Sequence, residues 1–236
     1  MTKKLVWIAA FSAAMGFLEA IVVVYLRELY YPAGFTFPLV TIPDRIFLTE
    51  ILREFSTLVM LLAIGYLGGT TFFTRFTCFL YSFGVWDIFY YVALKLLLNW
   101  PDSFLTWDIL FLIPVTWIGP VLAPVLCALA MIVLHLLVSR FQYLGYHLHY
   151  DTREWVMMIA GAILVYVSFT IDYTLLVINY GTHEKTVGSL PRDAFVRAVS
   201  QFIPSRFAWE IFLPGFMLIC VSIACYVLRR KRMIPA

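Results

Sequence analysis

The feature that most constrains this chain is a series of apolar runs, each about as long as a membrane is thick. Crossing ~30 Å of hydrocarbon at ~1.5 Å per residue takes about 20 residues. Runs of that length or more occur at 5–26, 46–67, 76–98, 107–139, 153–179 and 207–228. No period-2 alternation accompanies them, so helices rather than barrel strands are expected to span the bilayer. A composition 63% hydrophobic and only 13% charged is far from that of a soluble domain. The expected fold class is therefore all-α: a polytopic membrane helix bundle of about six transmembrane helices, forming a single integral membrane domain over residues 1–236.

Local signals refine this outline. The fourth region is too long for one straight helix and carries Pro114, Gly119, Pro120 and Pro124, which predicts a short half-helix, a break and then a full span. Asp151 followed three residues later by Glu154 resembles a capping box opening the fifth helix. Between the last two spans, Pro191 can start an interfacial helix with Phe195, Val199 and Phe202 on one face and Arg192, Asp193 and Arg197 on another. The N-terminal run begins with Lys3 and Lys4 like a signal peptide, but it is too long and ends without a small-residue cleavage motif; it is read as a retained first helix.

The formal charge of +3 is small and scattered, which argues against nucleic acid as a partner. Basic residues do favour one side. Lys3, Lys4, Arg75, Arg140, Arg153 and the four residues 229–232 lie towards the termini, against Arg27, Arg45, Lys185, Arg192, Arg197 and Arg206 opposite. That bias predicts a cell (plasma or inner) membrane protein with both termini cytoplasmic. Cys78, Cys127, Cys220 and Cys225 all sit inside apolar runs without CxxC spacing, as buried small hydrophobes do.

The acids inside the runs carry the functional information. Counting ~1.5 Å per residue from the outer helix ends puts Glu19 and Asp172 ~10 Å deep, Glu54 ~12 Å and Asp87 ~16 Å. Glu50, Asp108 and Glu210 lie nearer that surface, and the only bases within the spans are Arg53 and Lys95. An ionised aspartate at a helix centre costs about 2.5–3.5 kcal/mol on insertion scales, so these groups should avoid lipid. Glu50, Arg53, Glu54 and Thr57 form an i, i+3, i+4, i+7 stripe that lets Arg53 pair with either glutamate. Asp87, Tyr91 and Lys95 share one face of the third helix; Ser168, Asp172 and Asn179 share one of the fifth. Acids in excess of bases must be protonated, hydrated or bound to a cation. The candidate substrate- or ion-binding residues are therefore Glu19, Glu50, Arg53, Glu54, Asp87, Tyr91, Lys95 and Asp172.

A tryptophan-acid-isoleucine phrase recurs at 86–88, 107–109 and 209–211. Asp108 and Glu210 are expected at helix starts, where the backbone dipole and interfacial water stabilise an anion, whereas Asp87 is mid-helix without that help. Of the four histidines only His135 lies within a span, so paired axial haem ligands are lacking; His147 and His149 form a loop pair, and His183 has only Glu184 near it. No HExxH, GxSxG, Walker or dinucleotide motif is present. The sequence specifies no cofactor. Three functions fit: a proton- or cation-linked carrier of a small cationic or amphiphilic solute, an intramembrane enzyme acting on a lipid or isoprenoid, and a non-catalytic subunit or assembly factor. The last would have a membrane-protein partner or form a homo-oligomer.

Overall fold

The computed structural model describes residues 2–146, 148–183 and 199–231. Six helices and one short hairpin follow in the order α1 (Thr2–Tyr30), α2 (Asp44–Gly68), α3 (Phe72–Leu98), β1 (Trp107–Phe111), β2 (Trp117–Pro120), α4 (Leu122–Tyr143), α5 (Thr152–His183) and α6 (Trp209–Lys231). Five of them, α1, α3, α4, α5 and α6, are long and apolar enough to cross a membrane, so this is a multi-pass membrane protein. The remaining expected span, α2, has the length for it, but Asp44, Arg45, Glu50, Arg53 and Glu54 crowd its first half and lower its hydropathy. Its outward flank is nonetheless apolar, with Leu52, Phe55, Val59 and Leu62 exposed, as a lipid-facing surface requires.

Helix ends account for the tight connection between α2 and α3. Thr71 caps α3 by accepting from the Thr74 N–H, while Thr74 Oγ1 accepts from the Thr71 N–H at 2.9 Å, a reciprocal box that needs only residues 69–71 as a turn. At the other end Asn99 adopts φ 53°, the left-handed conformation that stops a helix. The Asp151 N–H donates to Glu154 at 2.8 Å, the backward half of the capping box expected at the start of α5.

The most central helix is α3, which packs against α1, α2 and α4; α5 and α6 form a second pair. That pair crosses closely because both helices present glycine. A Cβ added at Gly161 would sit 2.6 Å from the Gly215 carbonyl oxygen, and one at Gly215 would sit 2.9 Å from that of Gly161. An aromatic cluster of Phe73, Phe141, Tyr150 and Tyr226 joins α3, α4 and α6 at the end where α1 begins and α6 finishes, called here the terminal face.

At the opposite face the fourth region departs from expectation. Instead of a half-helix, residues 107–120 form an antiparallel hairpin with Asp108 opposite Gly119 and Ile109 opposite Ile118. Pro114 and Pro120 deny the segment helical hydrogen bonds, and its aromatic and β-branched residues suit extended backbone. The Trp117 ring N–H donates to the Ile113 carbonyl at 3.0 Å and closes the turn. Irregular backbone within a bilayer must be enclosed by protein. Here Phe111 packs on Phe83 and Trp86, and Trp117 on Tyr166 and Phe169. The interfacial helix expected from Pro191 lies largely outside the described residues.

Candidate functional site

Two polar knots form in the hairpin-side half of the bundle. The first joins α1, α2 and the hairpin tip. The Arg53 guanidinium pairs with Glu19 of α1 through Nη1 and donates from Nε to Glu50 at 2.7 Å; Thr57 donates to the other Glu19 oxygen at 3.3 Å. Glu54 does not pair with Arg53 but turns to the hairpin, accepting the Leu112 backbone N–H at 2.9 and 3.1 Å. Glu50 and Glu54 lie on the buried stripe of α2 with Thr57, Leu61 and Gly65, a spacing that keeps one helical face on the protein.

The second knot joins α1, α3 and β1. Asp108, 2% exposed, forms an ion pair with Arg27 at 3.3 Å and accepts the Tyr91 hydroxyl at 3.2 Å. The Arg27 guanidinium lies over the Trp100 ring at 3.8 Å and the Phe35 ring at 4.6 Å, which replaces part of its lost hydration by cation–π attraction. Asp108 is therefore not an interfacial anchor at a helix start: it sits on a strand, buried, with a base from a helix end read as loop. Glu210 does lie in the first turn of α6, exposed, with Arg206 at 3.2 Å.

Asp87 belongs to the second knot by position but not by bonding. It is buried on α3, one turn before Tyr91 and close enough to Asp108 for the two charges to repel, and its Oδ2 has no hydrogen-bond partner among the described residues. The remaining two candidates stand apart. Lys95 is exposed and donates to the carbonyls of Asn99 and Pro101 at 3.1 and 3.0 Å, tying the last turn of α3 to its C-cap and the loop that follows rather than pairing with an acid. Asp172 is exposed on α5 and lines a surface cleft with Asn179 and Glu210.

The structure thus brings Glu19, Glu50, Arg53 and Glu54 together, sets Asp87 and Tyr91 beside Asp108, and leaves Lys95 and Asp172 outside both groups. Arg27 and the Leu112 N–H were missed by sequence reasoning. No local spacing links Arg27 to an acid 81 positions away, although its place beside an aromatic-rich loop was visible. Among the described residues no three His, Cys, Asp or Glu side chains converge to hold a metal ion. Comparison with protein families, with curated proteins and with solved structures finds no match to this chain.

Proposed function

We propose that this multi-pass membrane protein is a proton- or cation-linked carrier of a small solute, with Asp87 as the group that binds and releases the coupling proton. The observation that carries the reading is the buried Asp87 Oδ2 with no partner among the described residues, on a membrane-spanning helix. Intramembrane carboxyls are expensive and are characteristically found in proton and ion pathways. The other buried acids of the two knots have a base, a hydroxyl or a backbone N–H to hold them; among the described residues Asp87 is the one left with a buried oxygen that accepts no hydrogen bond.

The neighbouring groups suit that role. On the hairpin side of Asp87 lie Arg27, Asp108 and the Tyr91 hydroxyl that donates to Asp108, so polar groups stand between the hairpin face and Asp87. The hairpin is a discontinuity of the kind that lines transport sites, where irregular backbone faces a cavity or the protein interior. With the basic excess on the terminal face, the hairpin face is directed outwards and both termini are cytoplasmic, in a plasma or inner membrane. Impermeant maleimide should then label Ala33→Cys in intact cells and Leu144→Cys only after permeabilisation; the reverse pattern overturns this orientation.

Proteoliposomes loaded with a pH-sensitive dye test the carrier reading. Offered a panel of small amines, amino acids and organic ions, wild-type protein should couple at least one to a change in lumenal pH, and Asp87→Asn should reduce that signal about tenfold or more. The nearly isosteric amide leaves packing intact, which circular dichroism and gel filtration can check. A panel that moves no protons beyond empty liposomes, or an Asn variant equal to wild type, overturns the proposal.

A further inference from the structure

A polar cavity that Asp87 does not line lies at the terminal face. Both α1 and α4 pack against α3, yet they make no extended contact with each other. Between them is a cavity of about 270 Å³, close to the ~300 Å³ at which small-molecule pockets begin. Lys4, Thr70 and Gln142 stand at its rim, His135 and Ser139 form buried polar wall, and Leu5, Ile8 and Val138 supply apolar wall.

The chemistry of these walls is one-sided. Among the described residues Lys4 is the one charged side chain lining the cavity, and no carboxylate faces it. His135 is held in the wall by two hydroxyls, with Nδ1 3.1 Å from Thr77 Oγ1 and Nε2 3.2 Å from Ser139 Oγ. Lys4, Thr70 and Gln142 provide donors for an anion.

We infer that this cavity binds the anionic head of an acyl-chain amphiphile, its chain running along the apolar side of the groove between α1 and α4. A phospholipid of the bilayer and a free fatty acid share that chemistry. The inference does not depend on Asp87 or on transport.

Native mass spectrometry of the full chain, released from a non-ionic detergent, distinguishes the outcomes. The probes are phosphatidylglycerol, oleate and, as the zwitterionic control, phosphatidylcholine. At least one anionic probe should form a one-to-one adduct about tenfold more readily than phosphatidylcholine, and which of the two does so identifies the source. Lys4→Gln should weaken that adduct about fivefold, whereas Lys3→Gln, outside the cavity, should not. Thr70→Trp, which narrows the mouth from an exposed position, should weaken it as well. Equal binding of all three probes, or equal effects of Lys4→Gln and Lys3→Gln, overturns the inference.

Discussion

Arg53 holds two carboxyls from two helices with one planar fork, which makes its replacement informative. In Arg53→Gln, Glu19 and Glu50 face each other without a cation, and leaving a buried charge unpaired is costly. With the Arg53 side chain 20% exposed, the loss should be about 2–3 kcal/mol, below the range for fully buried pairs. Adding Glu19→Gln should recover a large part of that loss. Reversible unfolding in mixed micelles measures both, and a double-mutant cycle without coupling would show that the pair is effectively solvated. Within this knot the i, i+3 contact of Arg53 with Glu50 was legible in the sequence, because helix geometry fixes it. The Glu19 contact was legible only as a matching depth. Lys95 was misleading for a related reason: its spacing from Asp87 and Tyr91 is right, but a long side chain in the last turn of a helix reaches forward to the carbonyls of the cap and the loop beyond it, here Asn99 and Pro101.

Among the elements, the hairpin is the one whose stability depends on a distant side chain. Its tip points into the bundle, where a free backbone N–H has no water to turn to, and Glu54 supplies the acceptor for Leu112. Glu54→Ala should therefore cost about 1–3 kcal/mol, the penalty of a buried donor left unmade, whereas Glu54→Gln keeps a carbonyl oxygen in place and should cost less than about 1 kcal/mol. Equal losses in the two variants would mean that charge, not the acceptor, is what the tip requires. The same unfolding assay reports both. The sequence announced that the region was broken, through its prolines and Gly119, but not what replaced the helix. A five-residue run such as Trp107–Phe111 is too short for periodicity to separate strand from helix, and the burial of its partner strand depends on Phe169 and Phe207, which sequence cannot bring opposite Gly119.

For the whole molecule, the question is what keeps the pair α5 and α6 on the bundle of α1 to α4. At one face it is the hairpin, packed on α5; at the other it is the aromatic cluster, beside which a clamp ties α6 to the first turn of α5 and to the loop arriving from α4. Arg229 donates to both Glu154 oxygens, at 2.9 and 2.6 Å, and pairs with Asp151 at 3.1 Å, while Arg229 and Arg230 both donate to the His149 carbonyl. The His149 ring completes it: Nδ1 accepts from Arg230 at 2.9 Å, and Nε2 lies 3.0 Å from Arg229 and 3.3 Å from Asp151. Burial and the charges of Arg230 and Arg229 lower the His149 pKa below its ordinary value, outweighing Asp151 and Glu154. The unfolded chain therefore binds the proton more readily than the folded one. Stability from this group is fully present above the unfolded pKa of ~6.5 and is lost as pH falls through the lower folded value. The melting temperature in detergent should accordingly fall more between pH 7.5 and pH 5 for wild type than for His149→Gln, which keeps a hydrogen-bonding side chain but does not titrate. The difference should be modest, because the ring is about half exposed and solvent screens it. Superimposable pH profiles would show that the clamp is held by Glu154 and Asp151 alone.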